Sequence, residues 1–203
     1  MQSLPNPAPD DPLPFARQWL DEAAASVPTN PWAMALATVA ADGRPSVRYV
    51  LLKELSVTEG FIVFFTNYRS RKATELDAAG VAAGTHYWPD AGRQLRFEGR
   101  VVRSPESESD AYFASRPRAS QLNAWASVQS HPIESPDAMT AQLEARTAEF
   151  ANESQIPRPA GWGGYRLHIE SVEFWVAGVD RFHQRLRYQR LPGRDWSSIW
   201  LQP

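Results

Sequence analysis

Residues 32–53 read WAMALATVAADGRPSVRYVLLK. An apolar run at 32–40 meets Asp42-Gly43 and Pro45, and a β-prone run resumes at 46–53. Asp-Gly between two such runs marks a tight hairpin, because the turn needs positive φ and glycine supplies it. The same punctuation recurs downstream. Glu59-Gly60 precedes a strand expected at 61–66, and Asp90-Ala91-Gly92 separates strands expected at 81–88 and 93–103. Three more are expected at 164–178, 182–190 and 196–201, with Leu191-Pro192-Gly193-Arg194-Asp195 as the last turn. Helical spacing predicts a helix over 13–27, with Phe15, Trp19, Leu20 and Ala23 on one side, and others over 69–79, 106–114, 117–126 and 136–152. Strands joined by short turns, with helices inserted between them, predict a mainly β chain with α (an α+β fold): a small barrel with flanking helices. Residues 1–12 hold Pro5, Pro7, Pro9 and Pro12 and are expected to form a flexible Pro-rich tail, with 13–203 as a single domain.

Composition narrows the function. The 203 residues are 43% hydrophobic and include eight Trp, enough for a sizeable core. A net charge of −2 lacks the basic excess of a nucleic-acid binder. The absence of Cys excludes disulfides, thiolate chemistry, zinc fingers and iron–sulfur clusters. No apolar run reaches transmembrane length, so no membrane partner is expected. The first 14 residues, rich in Pro and Asp, have neither the basic nor the apolar segment of a signal peptide, so a cytoplasmic protein is expected. Of the 21 basic residues only Lys53 and Lys72 are lysine. A GC-rich genome explains the loss of lysine but not the survival of these two.

Four segments could carry chemistry. Thr66-Asn67-Tyr68-Arg69-Ser70-Arg71-Lys72 follows a strand and opens a helix, with Thr66 or Asn67 as the expected N-cap. Its three cations crowd the positive end of the helix dipole, where each is unfavourable by roughly a few tenths of a kcal/mol. An anion bound there reverses the sign. Arg48 and Lys53 fall on opposite faces of a regular strand, so they meet different ligands, or one ligand across a bulge. Tyr112, Arg116 and Ser120 are spaced four apart, but Pro117 disfavours helical backbone at Arg116 and suits the first position of a new helix. A helix–helix junction follows, with Arg116 able to grip an anion bidentately. Alternation puts Arg181, His183, Arg185 and Arg187 on one strand face, and His183 can exchange a proton near neutrality. Gln129 and Ser130 add an amide and a hydroxyl. Taken singly, each segment also fits a structural role as a solvated turn, a Pro break or a charged edge strand. His86, His131 and His168 lack metal-ligand spacing, so no metal is expected.

Together, and in this order, Arg48-Tyr-Val-Leu-Leu-Lys53, Phe65-Thr66-Asn67, Ser70-Arg71-Lys72, Ser115-Arg116-Pro117-Arg118, Gln129-Ser130, Glu173-Phe174-Trp175 and Arg181-Phe-His-Gln-Arg185 resemble the pyridoxine (pyridoxamine) 5′-phosphate oxidase family. These are FMN-dependent split-barrel oxidases of vitamin B6 metabolism. The resemblance covers 32–203 and implies an FMN-binding split β-barrel with flanking helices. It implies an FMN site at Arg48, Phe65, Thr66, Arg71, Lys72, Gln94, Gln129, Ser130, Trp175 and Arg185. It implies that Lys53, Tyr112, Arg116 and Ser120 hold the phosphate of a B6 vitamer, with Arg181 and His183 beside the pyridine ring as the catalytic pair. It further implies a homodimer with sites at the interface, hydride transfer from pyridoxine 5′-phosphate or pyridoxamine 5′-phosphate to FMN, and O2 as acceptor giving H2O2. Phe65 stands where Tyr is common, Gln184 replaces a frequent Asp, and the tail lacks the basic, Tyr-containing segment of well-known members. Two rivals remain. One is a related FMN oxidase of the phenazine-biosynthesis type, which shares the closing Leu-Gln-Pro but typically lacks the substrate-phosphate set. The other is a non-catalytic flavin- or haem-binding split barrel.

Overall fold

The computed structural model describes residues 3–191, 193 and 195–203, so Pro192 and Arg194 of the expected last turn lie outside the described residues. Helix α1 (Pro12–Ser26) precedes strands β1 (Ala33–Val39), β2 (Pro45–Ser56) and β3 (Phe61–Asn67). Helix α2 (Arg71–Ala79) leads to β4 (Val81–Trp88) and β5 (Arg93–Arg103). Helices α3 (Glu106–Ser115), α4 (Arg118–Ala126) and α5 (Pro136–Glu149) come next, then β6 (Trp162–Val176), β7 (Gln184–Arg190) and β8 (Trp196–Leu201).

The strands lie in the order β3-β2-β1-β4-β5-β6-β7-β8, and a further β3–β6 pairing closes the first six into an antiparallel barrel. The long β6 makes closure possible. Its first half, Trp162 to His168, pairs with β3, while its second half, Ser171 to Val176, carries β7. Between the halves Gly99 of β5 passes so close to β6 that a Cβ would sit 1.9 Å from the His168 carbonyl oxygen. The inward alternation of Met34, Leu36, Leu95, Phe97, Leu167, Val172 and Phe174 fills the barrel, and α1 packs Leu13, Ala16, Trp19 and Leu20 onto the same core. Residues 3–11 have no helix or strand, yet Leu4 is buried and donates its N–H to Gln184 Oε1 at 2.8 Å. A second, smaller core of Phe113, Leu122, Phe150, Ile156 and Trp162 lies beneath α3 and α4.

Several expectations change in detail. The N-cap of α2 is neither Thr66 nor Asn67 but Ser70, whose side chain accepts the Ala73 N–H. Thr66 and Asn67 instead remain in β3, paired with Gly163 and Trp162. Pro117 is the N-cap of α4 rather than its first helical residue. The single strand face for Arg181, His183, Arg185 and Arg187 does not form. Val179–Arg181 is a short 3₁₀ turn in which Asp180 and Arg181 have φ of 51° and 65°, and β7 begins only at Gln184. Left-handed backbone interrupts the alternation, so Arg181 and His183 leave the strand that carries Arg185 and Arg187.

Candidate active site

The barrel is split beside β2. That strand pairs with β3 only from Leu52 to Ser56, so its first half and the end of β3 part company. A cleft of about 1030 Å³ occupies the gap, walled by β2, β3, the start of α2 and the α3–α4 junction. Lys53 sits where the β2–β3 register shifts, between Leu52 and Glu54. This bulge, together with the open strand edge, explains how Arg48 and Lys53 line one cleft despite their odd separation.

Eleven of the sixteen expected site residues line this cleft: Arg48, Lys53, Phe65, Thr66, Arg71, Lys72, Tyr112, Arg116, Ser120, Gln129 and Ser130. Five are cations, and the described lining contains no Asp or Glu. They form two groups. In the first, Lys72 is buried and donates to Gln129 Oε1 at 2.8 Å and Thr66 Oγ1 at 3.1 Å. Burial, and then the neighbouring Arg48, pull its pKa down to about 8. Arg71 gives its Nε to Glu75 at 2.8 Å, and Glu75 also receives Arg48 Nη2 at 3.2 Å. The second group stands on an aromatic stack. Phe65, Tyr112 and Trp162 form a near-parallel cluster, with the Phe65 centroid 4.1 Å from Tyr112 and 5.4 Å from Trp162, and Tyr112 6.2 Å from Trp162. Lys53 Nζ lies over Tyr112 at 5.7 Å and Arg116 over Trp162 at 4.6 Å. Burial lowers the Arg116 pKa, and its Nη1 is buried without a hydrogen-bond partner among the described residues. A buried guanidinium N–H without an acceptor is costly unless an anion completes it.

The other five expected residues lie outside the cleft but close to one another. Gln94 pairs with Trp175, and Trp175 pairs with Arg185, across β5, β6 and β7. The His183 ring lies 4.6 Å from that of Trp175, and His183 Nδ1 accepts the Gly178 N–H at 3.2 Å. Arg185 gives its Nε to buried Glu173 at 2.8 Å, and Arg181 sits on the turn just before. One chain therefore carries two separate clusters, one cationic and one aromatic and basic.

Two models of known families match the chain. The pyridoxamine 5′-phosphate oxidase model matches residues 20–153, and the pyridoxine 5′-phosphate oxidase C-terminal dimerisation region matches residues 162–203. The chain belongs to the pyridoxamine 5′-phosphate oxidase family. As such it is a member of a family of oxidoreductases. Proteins named pyridoxine/pyridoxamine 5′-phosphate oxidase from Salinibacter ruber and Cereibacter sphaeroides are each 46% identical to it. The first match covers 96% of this chain and 90% of the relative, the second 97% and 96%. Among solved structures, PhzG from Burkholderia lata 383, in complex with tetrahydrophenazine-1-carboxylic acid, superposes with a TM-score of 0.87 at 36% identity, covering 96% of this chain and 94% of that one. A pyridoxamine 5′-phosphate oxidase-related, FMN-binding protein from Nostoc punctiforme shares the fold over all of both chains, with a TM-score of 0.75 at 20% identity. Among the described residues no helix is long and apolar enough to cross a membrane.

Residue reasoning alone passed over Glu75. It is buried away from the cleft surface, and its one signal in the sequence is the four-residue spacing from Arg71. Trp162, the platform under Arg116, is both core and cleft wall.

Proposed function

We propose that this chain is an FMN-dependent oxidase that converts pyridoxine 5′-phosphate and pyridoxamine 5′-phosphate to pyridoxal 5′-phosphate, with O2 as acceptor and H2O2 as product, water entering and ammonia leaving when the substrate is the amine. The observation that carries the reading is the cleft with five cations and no carboxylate in its described lining, divided into two groups. Two dianionic phosphates, one from the cofactor and one from the substrate, suit that division. The residues present fit FMN: Lys72 has only neutral side-chain acceptors, and both Nη atoms of Arg71 have no protein acceptor among the described residues. Bound FMN supplies the two-electron redox chemistry.

The chain's own residues would do the rest. Arg48, Arg71, Lys72, Gln129 and Ser130 hold the flavin phosphate, with the backbone at Phe65 and Thr66 beside it. Lys53, Tyr112, Arg116 and Ser120 hold the substrate phosphate. Gln94, Trp175 and Arg185, with Arg181 and His183 over the pyridine ring, come from the second chain of a homodimer. Four of these five lie in the segment that matches the dimerisation region. Exposed apolar side chains flank the cleft on β2, with Val47 69% and Tyr49 76% exposed, and Phe182 between Arg181 and His183 is 78% exposed. Such surfaces suit contact with a second copy.

The likeness to PhzG supports a second reading, in which the substrate is a phenazine precursor. The ligand in that structure is by name a carboxylic acid without phosphate. Lys53 and Arg116 then have no dianion to bind, which favours the phosphorylated substrate. The test is an aerobic assay of the FMN-loaded protein with pyridoxine 5′-phosphate, pyridoxamine 5′-phosphate and unphosphorylated pyridoxine. Aldehyde and peroxide should form from the two phosphate esters and far more slowly from pyridoxine. No product from either ester would overturn the reading.

A further inference from the structure

Glu75 is a carboxylate buried behind a cationic cleft, an expensive arrangement unless every oxygen is satisfied. Its side chain is 5% exposed. Oε2 accepts from Thr38 Oγ1 on β1, from Ser46 Oγ on β2 at 2.6 Å and from Arg48 Nη2 at 3.2 Å. Oε1 accepts from Arg71 Nε at 2.8 Å. One carboxylate thus ties three elements, β1, β2 and α2, to two arginines that line the cleft.

The two arginines are held in different ways. Arg48 is anchored through both Nη atoms, which also donate to the Leu36 carbonyl oxygen, Thr38 Oγ1 and Ser46 Oγ. Among the described residues Arg71 is anchored only through Nε, and its side chain is otherwise exposed. Its fork of two Nη atoms therefore stays available for the bidentate grip that guanidinium gives to phosphate. Without Glu75 nothing opposes the repulsion of Arg71 by Arg48, by Lys72 and by the positive end of α2, where Arg71 is the first helical residue. The charges are also matched. Three cations against one carboxylate leave two net positive charges beside a phosphate that carries close to two negative ones.

We infer that Glu75 is a positioning residue that holds Arg48 and Arg71 as a preformed clamp for the phosphate group of the flavin. The inference rests on the flavin reading above. It makes a prediction opposite to simple charge counting. If only net charge mattered, neutralising Glu75 would tighten an anion. If orientation matters, the loss of the carboxylate frees Arg71 and weakens binding, because the clamp must be ordered again on each association. A glutamine does not stand in: its NH2 can donate to the Thr38 and Ser46 hydroxyls, but the substitution removes the negative charge and leaves one oxygen for two arginines.

The test is titration of the flavin-stripped full chain with FMN and, separately, with riboflavin, followed by flavin fluorescence. Wild type should prefer FMN. Glu75→Gln should bind FMN about tenfold or more weakly while riboflavin affinity stays within about twofold, because only the phosphate contact depends on the clamp. FMN affinity that is unchanged or tighter in E75Q overturns the role of Glu75. Equal weakening of both flavins overturns it too, since the effect is then not on the phosphate. If E75Q does not fold, Arg71→Lys carries the same test at an exposed side chain. It keeps the charge but cannot give Nε to Glu75 and a fork to phosphate together, so FMN should again weaken alone, and unchanged FMN affinity overturns the clamp. A wild-type protein that binds neither flavin removes the flavin reading itself, a result distinct from all of these.

Discussion

At the residue scale, the two lysines now have separate surroundings. Lys53 is exposed at a strand bulge above Tyr112, and Lys72 is buried among Thr66, Ser70 and Gln129. Lys53→Ala should raise KM for the phosphorylated substrate and leave FMN affinity nearly unchanged, whereas Lys72→Ala should weaken FMN; steady-state kinetics and flavin titration separate the two. The Lys72 pKa of about 8 adds a pH signature. Its charged form attracts phosphate, so FMN affinity should begin to fall as pH rises through about 8, and Lys72→Arg should abolish that step. His86 carries a different signature. It is fully buried, its Nδ1 lies 3.0 Å from the Ala33 carbonyl oxygen, and its Nε2 has no partner among the described residues. Burial pulls its pKa down to about 4, so the fold keeps the ring neutral while the unfolded chain takes a proton below its ordinary value. Stability should therefore be lost as pH falls from about 6.5 through 4, with His86 contributing a loss of about 2 kcal/mol by pH 5. Urea unfolding at pH 7 and pH 5 measures this, and His86→Gln should flatten the difference between them.

At the element scale, what the sequence made legible were the pieces with local causes. The Asp42-Gly43 hairpin, β4, β5 and β8 have the bounds or centres that alternation and turn residues imply, because pleat and turn geometry are set within a few residues. Two features were not legible. The odd separation of Arg48 and Lys53 offered a bulge as an alternative, but its place at Lys53 depends on where β3 leaves β2, which no local pattern states. The turn before β7 depends on left-handed backbone at Asp180 and Arg181, neither of which is glycine. That turn is braced by Gly178, where a Cβ would meet the Phe182 carbonyl oxygen at 1.8 Å. Gly178→Ala must push the turn away and carry Arg181 and His183 with it. Turnover should fall by about tenfold or more with FMN affinity little changed, since a misplacement of about 1 Å costs more in catalysis than in binding. Equal losses in both would show that the turn serves the flavin rather than the substrate.

At the scale of the whole molecule, the sixteen expected residues divide eleven to five between the cleft and the strand cluster around Trp175. The resemblance named all sixteen and put the sites at an interface between chains, but it did not say which residues fall on which side. Adjacency in a list of motifs carries no information about which side of a closed barrel each one occupies. On the proposed reading, a working site joins the cleft of one chain to the Trp175 cluster of a second copy. Mixed dimers test it most directly, formed from an Arg116→Ala chain, damaged in the cleft, and an Arg181→Ala chain, damaged in the other half. Each variant alone should oxidise pyridoxine 5′-phosphate poorly at both sites. A mixed dimer should hold one site with both lesions and one with neither, and so recover about half of wild-type turnover per dimer. Mixed dimers no more active than their parents would contradict the claim.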